Sequence, residues 1–239
     1  MPSSLLHKSV ASLISLSLLT ACASPNPQSG KASASTFDPG QLVKSDIDRV
    51  IEAHQREIFT SLRVLSEKFY RRNPREWKKS GQPSLVAALG RIYDGRNDWR
   101  YAELDNKRGT DALHLAFKED FHGDRVLALS AGLASMVMTA FNDKSEFFLL
   151  DSLDAQKLYN SARNVEIAVW KLSNARDIEG NLVLLSNESS PLPNLSFERE
   201  FGKIIGQLDL LSKIVADKQN RLVVSVVQSM ATAVFLPVK

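Results

Sequence analysis

The sequence predicts a mainly α fold: a single irregular helical bundle, with room for one short two-stranded β element, behind a flexible N-terminal tether. Three observations carry this. From Val43 to Phe69, apolar residues recur at three- and four-residue spacing, the period of one helical face. Helix-start signals then follow at Asn73-Pro74, Pro83-Ser84 and Thr110, where cap residues and first-turn prolines satisfy or remove the unpaired N–H groups of a helix start. Third, Val126 to Phe141 carries no charged residue and sets small side chains around Gly132, as a helix buried on every side requires. The composition agrees. With 44% hydrophobic and 24% charged residues in a chain of 239, collagen-like, low-complexity and disordered classes are excluded.

The N-terminal region reads as an address. Lys8 is the one formal charge before Cys22, and Val10 to Leu19 is an apolar run of signal-peptide length, well short of the roughly 20 residues that span a bilayer. The run ends in Leu19-Thr20-Ala21-Cys22. These four residues resemble the lipobox of bacterial lipoproteins: an aliphatic residue, a small one, Gly or Ala, then Cys. The resemblance covers residues 1–22 alone. It implies a signal peptide over 1–21, cleavage before Cys22, a diacylglycerol on the Cys22 sulfur, and an acyl chain such as palmitate on the new amino group. Ala23, in the place where Asp marks inner-membrane retention, implies attachment to the cell outer membrane, at its periplasmic face. One myristoyl chain holds a protein only reversibly, so two or three on one residue make attachment effectively permanent.

Cys22 is the only cysteine, which excludes an internal disulfide framework and a cysteine-based zinc cluster. Residues 22–40 form the lipidated cysteine and its tether, rich in Pro, Ser, Ala and Gly, with little to bury. The folded domain is expected over 41–239.

Within that domain, the stripe Val43, Ile47, Val50, Ile51, His54, Ile58, Leu62, Leu65 and Phe69 predicts a long first helix. It starts either at Asp38-Pro39 or at Ser45-Asp46-Ile47-Asp48. Asn73-Pro74-Arg75-Glu76 opens a short second helix that Gly81 ends, and Pro83-Ser84 opens another through Tyr93. Asp94 to Thr110 is a polar connection. Thr110 caps a helix over 111–121, and Asp124 to Asn142 holds the central core helix. The next helix starts at Asp151 or Ser152. Leu182 to Leu185 reads as a short strand pairing with Phe147 to Leu150. Ser196 to Asp217 is a helix whose Gly202 and Gly206 are expected at a close packing contact, and Leu222 to Phe235 is a final apolar helix.

Several patterns bear on chemistry. Ala128-Leu129-Ser130-Ala131-Gly132 fits a variant of the nucleophile elbow of α/β-hydrolases. That fold places its histidine after the serine, whereas His7, His54, His114 and His122 all precede Ser130, so Ser130 reads as a small core residue. His114 and His122 would share a face only on one uninterrupted helix, and neither has metal-ligand spacing. No phosphate-cradling glycine loop or paired metal motif occurs, and no cofactor is expected.

Two segments stand out as interaction surfaces. Arg71, Arg72, Arg75, Lys78 and Lys79 surround one acid, Glu76, and one tryptophan, Trp77. Clustered bases beside an aromatic residue suit anionic headgroups, lipopolysaccharide phosphates or an acidic partner; the alternative is a solvated helix corner with Trp77 tucked into the core. Trp99 and Tyr101 lie among alternating charges of the polar connection. They either form a binding hot spot or fold back as lids on the core. The expected role is non-enzymatic: binding or scaffolding an envelope protein, with membrane contact through Cys22 and no nucleic acid. The alternatives are an envelope hydrolase or lipid-modifying enzyme with convergent perturbed groups in a pocket, or a lipid carrier with an apolar cavity.

Overall fold

The computed structural model describes residues 44–95, 98–148, 151–188, 193–219, 223 and 234–239. The lipobox, Cys22 and the tether lie outside the described residues, as does most of the expected last helix. The chain divides into Met1–Asp38 and Pro39–Lys239, and all described residues belong to the second unit.

That unit is mainly α, with seven packed α-helices among the described residues. They are α1 (Asp46–Arg72), α2 (Pro74–Lys79), α3 (Leu85–Tyr93), α4 (Gly109–Phe117), α5 (Arg125–Ala140), α6 (Ala155–Asn174) and α7 (Ser196–Gln219). A 3-10 turn, Ala102–Leu104, lies between α3 and α4. The most extensive packing joins α4 to α5 and α6 to α7, and α1 lies against both α5 and α7. As its uncharged sequence predicts, α5 is buried nearly throughout.

Short-range capping sets several helix starts where the sequence placed them. The second of the two proposed starts of α1 holds: the Asp48 N–H donates to Ser45 Oγ at 3.2 Å, while the Ser45 N–H donates to Asp48 Oδ2 at 2.8 Å. This reciprocal pair satisfies two N–H groups that no helical carbonyl can reach. Ser84 caps α3 through the Ala87 N–H. Asp124 caps α5 through the Leu127 N–H. The apolar stripe of α1 buries Ile51, Ile58, Leu62, Leu65 and Phe69, but Val50 is exposed.

Other boundaries are corrected. α4 starts at Gly109 rather than after a Thr110 cap, because Ser135 of α5 reaches across and accepts the Gly109 N–H at 2.7 Å. α4 ends at Phe117, so His114 and His122 share no helix. α6 is capped by Asp154 through Gln156 N–H, while Asp151 instead accepts from Phe148 N–H and pairs with Lys144.

No strand forms among the described residues. In the segment expected to be one, only Leu182 enters an isolated bridge, with Arg176; a second isolated bridge, Glu188 to Asn194, lies beyond it. Its backbone is claimed by side chains. Asn73 accepts the Leu185 N–H and donates to the Leu185 carbonyl, at 2.8 and 2.9 Å. Asp177 accepts the N–H groups of Glu179 and Asn181 around Gly180, whose φ is +83°. The proposed partner strand is engaged as well, since Phe147 donates its N–H to Glu52. These bonds take backbone groups that a ladder between the two segments would use; Leu149 and Leu150 of the expected partner strand lie outside the described residues.

Gly202 and Gly206 also depart from expectation. Both lie on the solvent face of α7, where an added Cβ would meet nothing within 4 Å. The close glycine contact between helices is instead at Gly132, whose Cβ would come within 2.8–2.9 Å of Leu113. At the C-terminus, Phe235 to Lys239 is not helical.

Candidate functional site

The basic corner lies where α1 passes into α2, a junction made by Asn73 and Pro74. Asn73 precedes α2 without capping it, because its amide is spent on the Leu185 backbone and the Phe69 carbonyl. This holds the loop after Gly180 against the corner and leaves a cleft of about 590 Å³. Arg72, Arg75, Lys79 and Arg125 line it together with the acids Glu76, Asp177 and Glu179.

Most of the cluster's charge is answered internally. Arg71 pairs with Glu67 at 2.7 Å, Arg72 with Glu188 at 2.5 Å, and Lys79 with Glu76 at 2.6 Å. Lys78 sets its ammonium 5.4 Å from the Trp77 ring centroid. Arg75 is exposed and makes no ion pair among the described residues. Trp77 is half-buried and packs against the core. The corner therefore offers Arg75, on the rim of a cleft of mixed charge, and Lys78, over the Trp77 ring, as its cations without a carboxylate partner among the described residues.

The other predicted aromatic pair is not brought to this site. Tyr101 is only 5% exposed and donates its hydroxyl to the Arg91 carbonyl at 3.0 Å. The Arg91 guanidinium covers its ring at 4.8 Å. Trp99 is half-buried, its ring 5.8 Å from that of Phe59. Both close over the core as lids, and the charges around them pair: Arg63 with Asp94, Arg91 with Glu103, Arg108 with Asp98. Tyr101 thus presents no binding surface.

Behind the cleft runs a buried polar network. Asp124 Oδ2 accepts from the hydroxyls of Tyr70 at 3.0 Å and Ser80 at 2.9 Å. Burial holds the Asp124 carboxyl above the ordinary carboxylate range, against the opposing pull of its hydrogen bonds from Leu127, Ser80 and Tyr70. Burial raises the Tyr70 phenol and lowers the Arg125 guanidinium. Arg125 donates to the carbonyls of Ala116, Lys118 and Glu119. Its backbone N–H goes to Glu76 at 2.7 Å. Each of these groups is spent on closing helix ends, and Asp124 is 2% exposed. Perturbed pKa values here arise from structural burial, which shifts them as readily as catalysis demands.

Ser130, the candidate nucleophile of the elbow pattern, lies inside α5 and accepts a hydrogen bond from Ser66 at 2.7 Å. It is 3% exposed. Among the described residues, no group of three or more His, Asp or Glu could hold a metal ion.

One site was not legible in the sequence. The C-terminal segment Val234–Lys239 lies along α6, and Asn164 holds Leu236 by both halves of its amide: it accepts the Leu236 N–H at 2.6 Å and donates to the Leu236 carbonyl at 2.8 Å. Asn160, one turn earlier, donates to the Pro237 carbonyl at 2.9 Å. Nothing in an isolated helix marks these two asparagines as readers of backbone, because their partners lie about 70 residues further along the chain.

No protein-family model matches the chain, and no curated protein and no solved structure matches it.

Proposed function

We propose that the chain is a lipid-anchored protein of the cell outer membrane, facing the periplasm, that binds or scaffolds another envelope protein without catalysing a reaction. The observation that carries this is Leu19-Thr20-Ala21-Cys22 placed directly after an apolar signal-length run. The Pro-, Ser- and Gly-rich residues that follow have the composition of a spacer that lets a folded unit stand off a bilayer. The basic corner supports the binding part of the reading, because Arg75 and Lys78 are exposed cations beside a half-buried tryptophan, a combination suited to an acidic partner or to anionic headgroups.

Cys22→Ala tests the anchor. The variant is expected to lose labelling by radioactive palmitate and to leave the membrane fraction; full membrane retention without label would overturn the assignment. In-cell crosslinking followed by affinity capture tests the binding role, with a stoichiometric envelope protein as the expected product. Reversing charge at Arg71, Arg72, Lys78 and Lys79 separates the surfaces: unchanged partner and lipid binding would remove the basic corner from the proposal.

A further inference from the structure

The contact between α6 and the C-terminal segment has the form of a peptide-binding site already filled. Asn164 is fully buried, yet both its amide groups face a backbone that is not its own. It treats Leu236 as a neighbouring strand would, through the N–H and C=O that any residue other than proline carries. Asn160 takes the next carbonyl and is itself oriented by Gln156, whose amide donates to its oxygen at 2.9 Å.

Side-chain selection rests on one anchor. Phe235 is 8% exposed; its ring stands edge-on to His114 at 5.1 Å, lies 6.3 Å from Phe117, and has the Lys171 ammonium 5.8 Å from its centre. Pro237 follows Leu236, and the residue before a proline is biased to extended backbone. The segment is therefore shaped in advance for the two asparagines. The groove also exceeds what this segment fills: a cleft of about 540 Å³ continues from the seat of Phe235, lined by the same His114, Phe117 and Lys171.

We infer that the groove between α4 and α6 binds an extended segment of a partner protein, with an aromatic residue, an aliphatic residue and a proline in succession, and that Val234–Lys239 occupies it as an internal stand-in. Backbone recognition with a single aromatic pocket is the economy of strand-like peptide capture, in which main-chain bonds hold and alternate pockets select. An intramolecular occupant scales the apparent affinity of a competing peptide down to the fraction of time the site stands open. The identity of the partner as an envelope protein rests on the proposed binding role, but the groove itself does not depend on the lipid anchor.

The test uses the full-length protein in detergent and a fluorescent hexapeptide of the sequence VFLPVK. The peptide is expected to bind Phe235→Ala at least about tenfold more tightly than the unaltered chain, since the internal anchor is gone. Adding Asn164→Ala to that variant should abolish binding. A peptide with a benzophenone side chain in place of its phenylalanine should crosslink the unaltered chain at His114, Phe117 or Lys171, which gives a reading even where Phe235→Ala fails to fold. Absence of saturable binding to folded Phe235→Ala, undiminished binding after Asn164→Ala, or crosslinks confined to another face would each overturn the inference. Self-association of the unaltered chain that disappears in Phe235→Ala would assign the groove to a second copy and overturn it as a partner site. Membrane release of Cys22→Ala is read separately, so either conclusion can fail alone.

Discussion

Glu76 accepts the backbone N–H of Arg125 at 2.7 Å across 49 residues of sequence, and this contact closes the start of the central helix α5 from a different helix. Its second oxygen takes Lys79 at 2.6 Å, so the carboxylate is held on both sides. Glu76→Ala leaves a buried N–H without an acceptor, a loss of roughly 1–3 kcal/mol. Glu76→Gln keeps an acceptor and should recover much of it. Urea unfolding of the two variants checks this, and an unchanged midpoint for Glu76→Ala would show that the contact carries no stability.

Asp124 gives the fold a pH dependence of known sign. Its carboxyl is raised by burial, so between the ordinary value, about 3.9, and the raised one the native state binds more protons than the unfolded chain. Its contribution is therefore fully present below the ordinary value and is lost as pH rises through the raised value. Asp124→Asn removes the titration while keeping an oxygen for the Leu127 N–H. Stability measured from pH 3 to 7 should show the wild type losing ground to Asp124→Asn as pH rises; parallel profiles would refute the assignment.

The glycines divide by surroundings. Gly132→Ala forces a methyl against the side chain and backbone of Leu113, and overpacking of this kind costs about 1–3 kcal/mol. Gly202→Ala and Gly206→Ala meet nothing and should each stabilise by about 0.5–1 kcal/mol, because alanine loses less backbone freedom in a helix. Thermal melts that rank these variants in the reverse order would contradict the packing described.

At the basic corner, charge reversal should split binding from stability. Arg75 and Lys78 have no carboxylate partner among the described residues, so Arg75→Glu and Lys78→Glu should shift stability by less than about 0.5 kcal/mol, while weakening co-sedimentation with vesicles that contain anionic lipid. Arg72→Glu places a second acid beside Glu188, whose pairing it destroys, so it should lower stability and binding together. Equal vesicle binding by Arg75→Glu, Lys78→Glu and the wild type would exclude anionic headgroups as the ligand of this face.

Much of the α-helical framework was legible because it is written in short-range pattern. The stripe from Ile47 to Phe69 and the uncharged run of α5 state which faces are buried, and Ser45, Ser84 and Asp124 cap within three residues of themselves. The candidate corner was legible as a charge cluster, but its strength was not. That depends on Glu67, Glu188 and Glu76 standing opposite Arg71, Arg72 and Lys79, and Glu188 is far along the chain. Likewise, the short apolar run Leu182 to Leu185 reads as strand until Asn73 claims the Leu185 backbone.

By itself, then, the sequence determined the helical class, the buried central helix, and the expectation of an anchor at Cys22, since these rest on periodicity and on adjacent residues. Tertiary structure alone decided where α4 begins, what closes α5, that Tyr101 is core, and which backbone Asn73 and Asn164 hold. The reason is common to all four. A polar side chain can satisfy several backbone groups equally well, and which one it meets is settled only when distant segments are packed beside it.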